Sequence, residues 1–293
     1  MRSLKKDTVF GLMILPSLIG FTVLFIIPTV MSIIYSMTDW SVYKRTIQWI
    51  WFDNFLQLFR DAKTLAAIEH SIRYALIITV VQNALAITFA VILHRSTKMA
   101  NLLKSVLFLP AVMSIMVVGY VFSYIMSSAN YGLLNMIIGF FGGKPVNWLG
   151  DAHLALYSVI ITQVWQWTGW AMVIYIANIK SIDPNLYESA QIDGASPWRM
   201  FTGITLPLLY PAVSFNVLMS LIGGLKVFDA IFVMTKGGPG YASETMITSL
   251  IQTGFNSGRT AYACAFAVVF FIIVFAMSRV LTIAFNKWKE AIS

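Results

Sequence analysis

Gln163, Gln166, Trp167 and Trp170 fall at i, i+3, i+4 and i+7 of one apolar stretch, and so share a stripe of a helix. Their types suit recognition rather than bond breaking: amides offer donors and acceptors to hydroxyl groups, and indole faces cover the apolar C–H surfaces of sugar rings. The same stripe also fits plain helix packing with tryptophans near an outer headgroup layer. A second polar set, Asn216, Ser220, Gly223, Gly224, Lys226 and Asp229, punctuates another apolar stretch. Lys226 and Asp229 lie three apart and can pair on a helix, which lowers the roughly 2.5–3.5 kcal/mol cost of inserting a mid-membrane charge. An ion pair near the outer end of that helix is the purely structural reading. Gln82 and Asn83 are weaker candidates, since amides there often only join helices.

Covalent chemistry has little to work with. Gly143-Lys144 is the only Gly-Lys pair and runs into Pro145, so no phosphate-binding loop is present. Cys264 is alone, which excludes an intrachain disulfide or thiolate metal site, and His70, His94 and His153 are scattered. With no nucleophile–base arrangement or carboxylate pair, the chain is expected not to be an enzyme and to hold no metal or cofactor of its own. The net charge of +8 comes without a basic cluster interleaved with aromatics, so nucleic acid is not an expected partner. A positive balance suits loops facing anionic lipid headgroups.

The elements that position these residues are membrane helices. Hydrophobic residues make up 58% and charged residues 11% of 293, and the mean hydropathy is +0.77, too little charge for an ordinary soluble surface. Runs such as 75–81 and 265–275 are apolar all round, against the alternation of a β-barrel. The expectation is an all-α integral membrane protein with six spans at about 9–37, 70–93, 105–127, 154–179, 207–233 and 261–285. The first is read as an uncleaved helix, bent or interrupted near Pro16 and Pro28. Placing both termini in the cytoplasm puts Arg2, Lys5, Lys6, Arg95, Lys98, Lys104, Lys180, Arg199, Arg279, Lys287 and Lys289 on that side. Lys44, Arg45, Arg60, Lys63, Lys144, Lys236 and Arg259 then lie outside, a modest positive-inside bias. The outer segment 38–69, rich in Trp40, Trp49, Trp51, Phe52, Phe55 and Phe59, reads as an interfacial helix.

Between the fourth and fifth spans lies a less apolar loop, 180–206. Asp183-Pro184 is a helix start, Asp193-Gly194 a stop and Ser196-Pro197 a second start, which predicts two short helices joined at a sharp corner. Small Ala190, Gly194 and Ala195 let a partner backbone approach, while Glu188 and Asp193 offer carboxylates to its basic groups. Taken alone, such a loop also fits a capped helix on the membrane surface.

The run Tyr187-Glu188-Ser189-Ala190, Ile192-Asp193-Gly194-Ala195, then Ile204-Thr205-Leu206-Pro207, resembles the coupling-loop signature of permease subunits in binding-protein-dependent ABC importers. Phe52-Asp53-Asn54-Phe55 and Gly237-Gly238-Pro239 are similar to elements of the maltose and glycerol-phosphate type of that family. Ser189 departs from the usual alanine, yet is small. The resemblance implies the type I importer permease fold as a single domain over 1–293, in a bacterial inner membrane, importing a sugar or oligosaccharide by alternating access. It implies a second permease subunit that forms a heterodimer with this one, two cytoplasmic ATPases that bind ATP and Mg, and an extracellular or periplasmic binding protein. Tyr187, Glu188, Ser189, Ala190, Asp193, Gly194 and Ala195 would then couple to the ATPase. Gln163, Gln166, Trp167, Trp170, Asn216, Ser220, Gly224 and Asp229 would line the pathway, with Val227 facing it, and Gly237, Gly238 and Pro239 would meet the binding protein. Without the family, the glycine–proline run needs only to be a tight irregular turn. An ion-coupled secondary carrier, with Asp229 as its intramembrane carboxylate, is the alternative class.

Overall fold

The computed structural model describes residues 2–128 and 131–292, with side chains described for 12–128 and 131–291. The side chains of Arg2, Lys5 and Lys6, on which part of the charge bias rests, lie outside the described residues. Every regular element among the described residues is a helix. In chain order these are α1 (Arg2–Phe21), α2 (Ile27–Ser36), α3 (Asp53–Leu58), α4 (Ala62–Leu93), α5 (Lys98–Val112), α6 (Ile115–Ile125), α7 (Leu133–Phe140) and α8 (Ala155–Ile179). There follow α9 (Pro184–Ile192), α10 (Pro197–Met200), α11 (Leu206–Leu208), α12 (Tyr210–Leu225), α13 (Asp229–Met234), α14 (Met246–Ile251) and α15 (Thr260–Ile292).

Among the described residues three helical stretches, Leu12–Ser36, Ala62–Leu93 and Thr260–Ala291, are long and apolar enough to cross a membrane, or five if each of two bent pairs counts as one span. The first pair bends by 101° between α5 and α6, just after Pro110, which withdraws a backbone donor from the helix. The second bends by 70° before Tyr210. Neither the third nor the fifth expected span is therefore one straight helix. The 25-residue α8 falls short on hydropathy because amides and indoles interrupt it, yet 16 of its residues are buried.

The contacts gather into two compact units. In the unit Met1–Ala62 with Leu250–Ile272, a π-turn at Thr22–Ile26 joins α1 to α2 immediately before Pro28. Asn54 explains the Asp-Asn-Phe element: its amide donates to the Ser36 and Thr38 carbonyls, each at 2.8 Å, and ties α3 to the frayed end of α2. Lys44 and the Gln48 amide hold the half-buried Asp39 carboxyl below its usual range. Ser41 Oγ donates to the Gly258 carbonyl (2.7 Å), and Ala261 N–H to that of Trp40 (3.0 Å).

In the unit Lys63–Ser249 with Ile273–Ser293, α8 is the axis. One apolar cluster packs Leu156, Val159, Ile160 and Val164 of α8 with Tyr74, Ile78, Val227 and Ile231. Another packs Ala171, Met172, Tyr175 and Ile176 with Ala86, Ala90, Leu209 and Ala212. Close approach is set by glycine: a Cβ on Gly169 would run into the Leu107 carbonyl of α5, and one on Gly224 would lie 2.7 Å from Ala75 Cα of α4. Gln163, Gln166 and Trp167 lie in sequence between the α8 residues of the two clusters, and Trp170 packs against the second.

Candidate functional site

The loop after α8 folds as its caps dictate. Asp183 Oδ1 accepts the Asn185 amide at 3.0 Å and Pro184 occupies the first turn, so α9 starts there. At its other end Gly194 takes φ +76°, its N–H donates to Gln191 O at 3.0 Å, and Ala195 N–H donates to Ala190 O at 2.9 Å. These are the paired bonds of a Schellman stop, which needs a left-handed residue at that position. Ser196 Oγ then accepts the Arg199 amide at 3.4 Å and opens α10. Tyr187 Oη meets Thr205 Oγ1 at 2.9 Å, fastening α9 to the helix that leads into α12. No residue of α9 or α10 is buried, and Ile192 and Trp198 are 86% and 70% exposed. Glu188, Ser189, Asp193 and Gly194 are exposed on this projection, with Ala190 and Ala195 half-buried.

A cavity of about 300 Å³ opens among α4, α6, α8 and α12. Of the expected pathway residues it gathers Gln163, Trp167, Trp170, Ser220, Gly224 and Asp229, along with Val227; Gln82, Gly223 and Lys226 also border it, among apolar neighbours such as Tyr74 and Ile78. Gln166 and Asn216 are not on its wall. Gln166 is fully buried: its Nε2 donates to the Met113 carbonyl at 3.1 Å, and its Oε1 accepts Gln163 Nε2 at 3.0 Å. Met113 caps α5 where the helix breaks, so this amide satisfies a carbonyl that the break has freed. Trp167 Nε1 donates to Gln163 Oε1 at 3.2 Å, so a relay runs from the cavity wall to the break. Asn216 is buried behind Ser220, with its Nδ2 3.4 Å from the Ala171 carbonyl.

The expected Lys226–Asp229 ion pair does not form. Helix α12 ends at Leu225 and α13 begins at Asp229, so the three-residue spacing no longer places the two side chains on one helical face. Lys226 is exposed and Asp229 half-buried, and both border the cavity. Thr245 Oγ1 donates to the Val227 carbonyl at 3.1 Å and supports this break from the loop beyond.

That loop is built on Gly237 at φ +85°. Ser243 N–H donates to Gly237 O at 3.2 Å, and Ser243 Oγ donates to Gly238 O at 2.6 Å. Glu244, 4% exposed, pairs with Lys63 at 3.3 Å, and Met246 N–H donates to Ser71 Oγ at 2.8 Å. Gly237 is buried, Gly238 and Pro239 are half-buried, and the exposed tip is Gly240-Tyr241. Gly237 therefore shapes the loop from within.

Sequence reasoning noted Gly223 without assigning it to the pathway, where it faces open space on the cavity wall, and missed the role of Tyr175, whose hydroxyl donates to Asn83 Oδ1 at 2.7 Å. Only the long-range packing of α4 on α8 brings those two together.

The family model described as binding-protein-dependent transport system inner membrane component matches residues 82–288. The chain is 29% identical over 275 residues to the probable starch degradation products transport system permease protein AmyD of Thermoanaerobacterium thermosulfurigenes, covering 94% of this chain and 92% of that one. It is 32% identical over 273 residues to the trehalose/maltose transport system permease protein MalF of Thermococcus litoralis, covering 91% and 90% respectively. A chain in the crystal structure of a bacterial alginate ABC transporter, in complex with alginate pentasaccharide-bound periplasmic protein, has the same fold. Its TM-score is 0.87 at 23% identity, over 98% of this chain and 97% of that one. The chain thus has the type I importer permease fold and belongs to the family of binding-protein-dependent transport system inner membrane components, the permease subunits of ABC transporters.

Proposed function

We propose that this chain is the transmembrane subunit of an ATP-driven importer that moves a sugar or oligosaccharide from a binding protein to the cytoplasm by alternating access. The observation that carries the reading is the cavity between membrane helices, where Gln82, Gln163 and Ser220 sit beside the indoles of Trp167 and Trp170. Amides and hydroxyls match a sugar's hydroxyl groups, and the rings match its C–H faces. The carbohydrate systems named for the relatives AmyD and MalF support the same class. In this reading the whole chain, 1–293, works as one six-span permease domain of a bacterial inner membrane with both termini cytoplasmic. The exposed α9 docks on one of two ATPase subunits that supply ATP and Mg chemistry, a second permease subunit of different sequence completes the pathway, and the outer loop tip meets the binding protein.

The test is to purify the tagged chain with its co-purifying subunits and measure uptake of a labelled oligosaccharide series into proteoliposomes. ATP-dependent, binding-protein-dependent uptake is the expected result. Uptake by the chain alone, driven by a proton or sodium gradient, would instead identify a secondary carrier with Asp229 as coupling group.

A further inference from the structure

The polar lining does not end at the cavity. From Ser220 it continues inward: Ser220 Oγ accepts Asn83 Nδ2 at 2.8 Å, Asn83 Oδ1 accepts the Tyr175 hydroxyl at 2.7 Å, and Ser220 donates in turn to the Asn216 carbonyl. Asn83, Tyr175 and Asn216 are each at most 4% exposed. All three lie on the coupling-loop side of the cavity residues on their own helices; Tyr175 is eight residues beyond Trp167, about 12 Å along α8. Tyr175 also belongs to the apolar cluster that carries Ala86, Ala90, Met172, Ile176 and Leu209.

Helix-joining alone does not account for this set. Asn216 Oδ1 and Thr79 Oγ1 are buried and have no hydrogen-bond partner among the described residues, although each sits beside the network. A buried acceptor left unpaired is destabilising, a cost that an apolar side chain there would avoid. Amides and hydroxyls inside a membrane bundle either join helices or line a solute route, and an acceptor that joins nothing favours the route.

We infer that Asn83, Tyr175 and Asn216 form a second, hydroxyl-binding solute station between the cavity and the coupling loop, closed in this conformation. Their hydrogen bonds to one another hold α4, α8 and α12 together; when the helices part, the hydroxyls of a passing carbohydrate replace those bonds one for one. This rests on the importer reading above.

Single cysteines at Asn83, Asn216 and Ser220, made in a Cys264→Ala background of the assembled complex, test it with a membrane-impermeant methanethiosulfonate reagent. The complex is labelled without nucleotide and trapped with ATP and vanadate. Ser220→Cys should label in at least one state. Asn83→Cys and Asn216→Cys should label at least tenfold faster in one state than in the other. Slow, state-independent labelling of both, with Ser220→Cys reactive, overturns the second station alone; an unreactive Ser220→Cys overturns the cavity as a pathway. Tyr175→Phe keeps the ring and gives an independent measure: uptake per ATP hydrolysed should fall at least threefold. A parallel loss of uptake and hydrolysis, at an unchanged ratio, would mark a merely structural tyrosine and refute the station.

Discussion

Adjacent glycines in α12 should respond to the same substitution with opposite signs. A Cβ on Gly224 would stand 2.7 Å from Ala75 Cα, 3.0 Å from Ile78 Cγ2 and 3.1 Å from Ala75 Cβ. Carbon pairs are at ease near 3.5–4.0 Å, so the shortfall against Ala75 is about 1 Å, and a backbone atom cannot rotate away. Overpacking of this kind costs about 1–3 kcal/mol, and the gain in helix propensity from glycine to alanine returns at most about 1 kcal/mol. Gly224→Ala should therefore destabilise by about 1–2 kcal/mol. Moving α12 from α4 also stretches the 2.8 Å Asn83–Ser220 bond, one turn away, towards the limit of a hydrogen bond. A Cβ on Gly223 meets nothing within 4 Å, so Gly223→Ala keeps the propensity gain without a clash. Thermal unfolding of the purified complex in detergent reads both. At about 2–4 °C per kcal/mol, Gly224→Ala should lower Tm by about 2–8 °C, while Gly223→Ala should leave it unchanged or raise it. A Tm for Gly224→Ala equal to or above that of Gly223→Ala would refute the close α4–α12 contact.

Further outcomes follow from other contacts. Glu188→Lys and Gly194→Trp should each reduce uptake severalfold while the chain still inserts and folds, because both alter an exposed projection; unchanged uptake in both would remove α9 as the docking element. Gln166→Ala strands the Met113 carbonyl and should cost about 1–3 kcal/mol in unfolding assays, whereas Trp170→Ala should act chiefly on the solute dependence of uptake. Equal effects of the two on both readouts would contradict their separate placement. Asn54→Ala removes two donors to the end of α2 and should lower Tm by a few degrees with the coupling loop unaffected, checked by limited proteolysis at 180–206.

What was legible in the sequence was local. Asp183-Pro184, Gly194 and Ser196-Pro197 each act through bonds to residues within five positions, so the two short helices and their corner follow from the caps. The stripe on α8 was legible as far as a helical wheel goes: Gln163, Trp167 and Trp170 share the cavity. Gln166 does not, because the carbonyl it serves is 53 residues away at a break in another helix. The pairing of Lys226 with Asp229 assumed a continuous helix, and helix continuity is where Gly223-Gly224 make spacing a poor guide. Asn83 and Tyr175, 92 residues apart, meet only because α4 packs on α8, a contact that no local pattern announces.

In the proposed importer, continuous hydrogen bonding links the cavity walls to the exposed loop. Helix α8 runs from the cavity to Ile179, and Lys180, Ser181 and Ile182 donate to the Ile176, Asn178 and Ile179 carbonyls, so no slack segment separates α8 from the cap of α9. Trp170 lies thirteen residues before Asp183, about 20 Å at helical rise. On the far side of the corner, the Tyr187–Thr205 bond fastens α9 to the turns that continue into α12, which carries Ser220 and Gly224. A displacement of α9 therefore reaches two walls of the cavity at once, through α8 and through α12. These are also the walls held together by the Asn83–Tyr175 and Asn83–Ser220 bonds. Each such neutral bond contributes about 1 kcal/mol net, whereas the apolar clusters on either side bury far more surface. The polar layer is therefore where the proposed importer should part its helices, and the Gly194 corner is where the force to do so should enter.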